Sequence, residues 1–330
     1  MIALVALISA VAGAIYGVVS FPETPFFSVL RGAITGAAIS LLITGFEFAL
    51  ASGWLQPVRH LPVGLLVGLR SVIYTVLIIV GYEFGRIVAQ TPDESLFAFD
   101  AFFWRTVWIS LALSFVANSL LEVSRLLGGE VLWGLVIGRY ALPRVEERVV
   151  LFLDLKDSTR HAEQLGDLKF HNLLNRFFHD VSHAVLASGG TIYKYNGDAA
   201  IVLWRPRRGL RRANAVRCVV ELQRQLAARA DFYRRQFGLA PQFRAGLHMG
   251  PVVVGEIGDQ RHEIAFSGDA MNTTARIEQA TRELGVDFLL SDAVAQRLPP
   301  VEGLRLRPVG SVAVAGKAAK LSLSTAEWKF

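Results

Sequence analysis

Four long apolar stretches crowd into the first 121 residues, near 2–20 (IALVALISAVAGAIYGVVS), 29–50, 62–82 and 101–121. A hydrocarbon core of about 30 Å takes roughly 20 helical residues to cross, and a helix satisfies its own backbone polar groups there. The pattern predicts a four-helix transmembrane domain over 1–121. The whole chain agrees: 330 residues, 52% hydrophobic, mean hydropathy +0.40, too apolar for an ordinary soluble two-domain protein. Arg70 and Arg105 fall near the middles of the third and fourth stretches. Charges at that depth face a bundle interior or partner helix, or snorkel outward.

Orientation follows from the loops. One carries Arg59 and His60 and another Asp93 and Glu94, while Arg125, Arg139 and Arg144 follow the fourth helix. Basic loops stay cytoplasmic, so both termini are expected on that side of an inner (cell) membrane, although Arg31 and Arg86 blur the asymmetry. The first stretch reads as a membrane helix because it has no basic n-region, with a cleaved leader as the alternative, since "AVA" at 10–12 offers small residues.

Residues 122–147 mix charges, Pro143 and an apolar run too short to span, and read as a linker. From 148 to 330 the chain turns into an α+β domain. "RVVLFLDL" is a strand, apolar residues recur at helical spacing over 161–187, and Gly189-Gly190 ends that helix. Strands 191–195 and 198–204 flank Asn196-Gly197, a hairpin signal of the type I′ kind. A helix over 212–236, strands over 242–248, 251–257 and 261–267, and a helix over 271–284 follow.

The charge of +6 and pI near 9.7 would suit nucleic acid, but arginines flanking membrane segments give the same balance, and no nucleic-acid partner is expected. "RPRRGLRR" at 205–212 reads as a solvated, membrane-facing loop, or as a segment that touches nucleic acid or anionic lipid headgroups. The single cysteine, Cys218, excludes an intrachain disulfide and any multi-cysteine zinc site, and fits a reducing compartment. His179 and His183 stand four apart on a helix without a third ligand in the pattern. There is no P-loop and no GG(D/E)EF run.

Two aspartates carry the chemistry. Asp154 ends one apolar strand, and Asp198 follows the hairpin glycine. Carboxylates at neighbouring strand ends make a hard-oxygen site suited to Mg²⁺ or Mn²⁺ with substrate phosphate oxygens. The same spacing also suits aspartates that merely cap a turn and a helix.

"LFLDLKDST", "YKYNGDAAIVLW", "RAGLHMGPVVVGEIG" and "IAFSGDAMNTTARIE" occur in the order and spacing of the catalytic domain of class III nucleotidyl cyclases, and the arrangement resembles bacterial membrane-anchored adenylate cyclases. The resemblance covers roughly 148–325 and implies a ferredoxin-like βαββαβ core. It implies a phosphorus-oxygen lyase that converts ATP to cyclic AMP and pyrophosphate, with two divalent ions per site held by Asp154, Asp198 and the Leu155 carbonyl. Lys194 corresponds to the base-reading lysine, where guanylate cyclases have glutamate. A lysine donates to adenine N1 but offers no acceptor to guanine. Asn272 and Arg276 correspond to the ribose-orienting asparagine and transition-state arginine, and Lys317 to the triphosphate-binding lysine. One position departs: the second base-reading residue, usually Asp or Thr, is Ala265. The family draws the aspartates from one protomer and lysine, asparagine and arginine from the other, which implies a head-to-tail homodimer. Guanylate cyclase activity, a catalytically silent nucleotide-binding receptor, and a transporter with a regulatory domain are the competing readings; Lys194 opposes the first and the intact residue set the second. What signal the membrane helices sense is not written in the motifs.

Overall fold

The structure, a computed structural model, describes residues 2–20, 25–51, 62–88, 101–127, 138–140, 142–259, 263–312 and 320–328. It divides into two compact units, Met1–Leu127 and Gly128–Phe330.

The first unit holds helices α1 (Ile2–Ser20), α2 (Pro25–Ala51), α3 (Val63–Val88) and α4 (Ala101–Leu127). Among the described residues three stretches are long and apolar enough to cross a membrane: Phe26–Leu50, Val63–Val88 and Phe103–Ser124. Three of the four expected spans thus reach that length among the described residues. The described apolar part of α1, Ala6–Val18, would rise only about 20 Å at 1.5 Å per residue. Exposed Leu41, Val72, Trp108 and Leu113 give these helices faces that a lipid solvent would cover.

Glycines set the α1–α2 contact. Gly13 and Gly17 of α1 and Gly32 and Gly36 of α2 are two small-xxx-small repeats, and a Cβ on Gly13 would lie 2.9 Å from the Gly32 carbonyl carbon. Arg70 is 8% exposed and lies 3.9 Å from Glu122 of α4, as its depth required, whereas Arg105 is exposed. The orientation signals Arg59, His60, Asp93 and Glu94 lie outside the described residues.

The second unit is built on one mixed sheet of β1 (Arg144–Leu155), β2 (Thr191–Asn196), β3 (Ala199–Trp204), β4 (Phe243–Ile257), β5 (Glu263–Ser267), β6 (Phe288–Ser291), β7 (Leu304–Val312) and β8 (Leu321–Trp328). Strand order is β2-β3-β1-β4-β6-β8-β7, with β5 on β4. The first four strands, with their intervening helices, form the βαββαβ core. The helices are α5 (Ser158–Leu165), α6 (Asp167–Ala187), α7 (Pro206–Leu210), α8 (Asn214–Ala228), α9 (Ala230–Phe237), α10 (Asp269–Glu283) and α11 (Asp292–Ala295).

Alternation along β1 decides what faces where. Val149, Leu151, Leu153 and Leu155 join the main core with Leu173, Phe177 and Val181 of α6 and Val216, Val219 and Leu222 of α8. Val150 joins the opposite face with Ala270 and Met271 of α10, and Phe152 packs there too. Asp154 shares their parity, so it falls on the α10 side. Cys218 is buried in the main core, where desolvation pushes its thiol up to about 12 and leaves it inert.

Several boundaries differ from the sequence reading. β1 starts at Arg144, ahead of its apolar run, because Arg144–Glu147 pair with Val254–Pro251 of β4. The strands expected over 242–248 and 251–257 are one, since Pro251 removes a ladder donor but keeps a φ an extended chain tolerates. Gly166, at φ +71°, splits the helix expected over 161–187, and Arg229, at φ −102°, splits that over 212–236. Asn196 pairs with Ala199, so the hairpin's central residues are Gly197 and Asp198. Positive φ occurs at Gly197 alone, the type II′ pattern in place of I′.

Candidate active site

The hairpin turn and the end of β1 are tied together. The Leu155 N–H donates to the Asp198 carbonyl at 3.3 Å, and Asp154 pairs in register with Ala199. The turn therefore sets the second carboxylate beside the first. Burial raises the Asp154 pKa above the usual carboxylate range, and the Asp198 charge and a hydrogen bond with Asp198 add to it. Arg282 and Arg244 pull the other way, with the Arg282 guanidinium 3.3 Å from Asp154 Oδ2.

Helix α10 closes one wall. Gly246 of β4 makes this possible: a Cβ there would lie 2.9 Å from both the Glu278 Cα and the Thr274 carbonyl oxygen. The close approach brings Glu278 and Arg282 to a cleft of about 510 Å³ lined also by Phe152, Leu153, Asp154, Ala199, Gln279 and Glu283. Glu278 is buried, its Oε1 has no hydrogen-bond partner among the described residues, and burial followed by the Asp154 charge raises its pKa.

The remaining candidates sit apart from this pair. Lys194 lies on exposed β2 and its Nζ is 2.9 Å from Glu263 Oε1 of β5. Ala265 is two residues further on β5, paired with Gly255. The two strands are also joined by the Phe266 N–H donating to the Tyr193 hydroxyl at 3.3 Å and by their rings 4.9 Å apart. Asn272 and Arg276 lie one turn apart on α10, Asn272 exposed and Arg276 half-buried. Lys317 lies outside the described residues. Arg282 and Arg244 are the cations that lower the Asp154 pKa.

Sequence reasoning missed Arg244, Glu263, Glu278 and Arg282. Arg244 could have been found from "FRAG", where a cation opens an otherwise buried strand, and Glu278 with Arg282 from their four-residue spacing on one helix. A carboxylate whose proton affinity is raised by burial and by a second carboxylate's charge beside it fits a divalent cation that completes its shell with phosphate oxygens. Among the described residues no group of three or more His, Cys, Asp or Glu side chains could hold a metal alone, His179 and His183 included.

Residues 141–325 match the family described as "Adenylate and Guanylate cyclase catalytic domain". The chain is 39% identical over 214 residues to "Adenylate cyclase 2" of Rhizobium meliloti (strain 1021), covering 65% of this chain and 59% of that protein. It is 30% identical over 183 residues to "Adenylate cyclase" of Anabaena cylindrica, covering 53% and 35%. The chain thus spans under two thirds of the length of either relative. A solved bacterial light-regulated adenylyl cyclase shares the fold at TM-score 0.56 and 18% identity, over 71% of this chain and 68% of that one. The adenylyl cyclase CyaB from P. aeruginosa does so at TM-score 0.50 and 22% identity, over 57% and 97%.

Proposed function

Because the chain belongs to the adenylate and guanylate cyclase family, we propose that it is a membrane-bound adenylate cyclase, forming cyclic AMP and pyrophosphate from ATP in a head-to-tail homodimer. The observation that carries the reading is the half-buried Asp154–Asp198 pair, two carboxylates held together at adjoining strand ends, with the Asp154 pKa raised by burial and then by the Asp198 charge. Folding alone gives no reason to hold like charges so close. The relatives' names, both adenylate cyclases, point the same way.

Asp154, Asp198 and the Leu155 carbonyl would hold two divalent ions, Mg²⁺ or Mn²⁺. Bound there, they would supply Lewis acidity to the 3′-hydroxyl and to the departing phosphates. The substrate's 3′-hydroxyl gives its proton to solvent as its oxygen attacks the α-phosphorus, the bond to the bridging oxygen breaks, and pyrophosphate leaves. Arg276 carries charge on the phosphoryl oxygens as that bond breaks, and Asn272 orients the ribose. Lys317, near the C-terminus, binds the triphosphate.

Lys194 reads adenine by donating to N1. Ala265 offers it no acceptor, and the Glu263 carboxylate at 2.9 Å supplies a partner that keeps the ammonium aimed. Lys194→Glu should lower the preference for ATP over GTP by about 10- to 100-fold in kcat/KM. An unchanged preference would remove Lys194 from base reading.

The dimer is tested by mixing two inactive variants. Asp198→Ala and Arg276→Ala each damage both sites of their own homodimer, whereas a mixed dimer keeps one intact pair. Coexpression should restore about a quarter of wild-type activity under random pairing. No restoration from variants shown to associate would contradict the shared site. Three membrane-crossing stretches make an anchored enzyme the natural form, with the catalytic unit on the cytoplasmic side of the inner membrane and the helices coupling an external signal to it.

A further inference from the structure

A second cleft lies in the catalytic unit, on the far end of β1 from Asp154. It encloses about 560 Å³ and is lined by Arg139, Glu146, Glu147, Arg148, Arg205, Pro206, Arg207, Arg208 and Arg297. Arg148 and Asp154 are six residues apart on one strand, about 20 Å. None of the residues assigned to ATP or metal lines it.

Its charge is lopsided. Six guanidinium groups meet two carboxylates. Glu146 pairs with Arg139 at 3.1 Å and with Arg148, and Glu147 pairs with Arg297 at 2.6 Å. Both acids thus pair with Arg139, Arg148 and Arg297, while Arg205 and, from helix α7, Arg207 and Arg208 add to the lining. Arg148 is 3% exposed and stacks 5.7 Å over the Phe266 ring, yet its Nε has no hydrogen-bond partner among the described residues. The Arg139 Nε is in the same position. A buried guanidinium with an unspent donor is costly unless an acceptor completes it.

We infer that this cleft is a binding site for a multiply charged phosphate anion. Guanidinium forks match phosphate oxygens two by two, and several arranged around one pocket select a ligand carrying more than one negative charge. The Glu146 and Glu147 pairs fix three of the forks in advance, so little side-chain entropy remains to be lost on binding. The volume suits a small ligand or a headgroup. The phosphate could be presented by a soluble polyphosphate or by an acidic lipid, with the same recognition chemistry.

The test uses full-length protein in an uncharged detergent, with EDTA present to silence metal-dependent binding at the aspartates, and inorganic triphosphate titrated by calorimetry. Wild type should bind it saturably, and an Arg205→Ser/Arg207→Ser variant should bind about tenfold more weakly or worse. Both side chains are exposed, so the variant keeps its fold. The titration is repeated in nanodiscs of phosphatidylcholine with and without phosphatidylglycerol. Triphosphate displaced by phosphatidylglycerol in wild type but not in the variant identifies the headgroup as the source; equal affinity in both discs identifies a soluble anion. Absence of saturable binding, or equal binding by wild type and variant, overturns the site.

Discussion

The helical unit and the aspartate site of the catalytic unit gather charge in opposite ways. In the helical unit, buried Arg70 meets Glu122 at 3.9 Å, and Arg86 meets Glu83 at 3.2 Å; each cation is answered by an anion. In the catalytic unit, Asp154, Asp198 and Glu278 gather near one another: burial and then the Asp198 charge raise the Asp154 pKa, and burial and then the Asp154 charge raise that of Glu278. Opposite charges neutralise each other and serve packing. Like charges held together against their repulsion serve something that arrives later, in the proposed function a cation and a triphosphate.

That contrast can be broken from either side. The largest effect is expected at Asp198→Ala, which should lower cyclisation about 10³-fold while leaving the melting temperature unchanged or higher. Unfolding of the variant would make Asp198 structural. In the helical unit the reverse holds. Glu122→Ala strands Arg70 and should destabilise the helices by about 2.5–3.5 kcal/mol, read by chemical denaturation in detergent. Unchanged stability would mean that the pair carries no packing role.

Gly246→Ala comes next. Its Cβ meets backbone of α10, so overpacking should cost about 1–3 kcal/mol and reduce activity together with stability. The smallest effect sharpens the comparison most. A carboxylate whose pKa is raised in the fold stabilises it only while protonated, and that contribution is lost as pH rises through the raised value. Asp154→Asn in EDTA should therefore raise the melting temperature at pH 7, by about 2–4 °C per kcal/mol relieved. The gain should vanish below about pH 4, where the wild-type group is itself protonated. A gain independent of pH would exclude charge repulsion as its source.

Local signals made the two aspartates legible. One ends an apolar run and the other follows a glycine that only a tight turn needs, and short-range geometry carried both. The rest of the site depends on contacts far apart in sequence. Arg282 reaches Asp154 across 128 residues and Lys194 reaches Glu263 across 69. Nothing in the spacing of "ARIEQATRE" says that α10 will lie on β1; that follows from the bare surface of Gly246 one strand away. Turn type escaped for a similar reason. Asn196-Gly197 fits a I′ hairpin by composition, but the Asn196–Ala199 pairing moves the turn along by one residue and puts Asp198 inside it. In the helical unit apolar length gave the helices, whereas the glycine contact between α1 and α2 shows only once the helices are paired.

The most direct measurement is a product assay on purified full-length protein with ATP or GTP and Mg²⁺ or Mn²⁺, resolving cyclic AMP from cyclic GMP by chromatography, with Asp154→Ala as control. The account predicts cyclic AMP from ATP, dependent on the metal and lost in the control. No cyclic product from folded, dimeric protein, or product that survives Asp154→Ala, would contradict it.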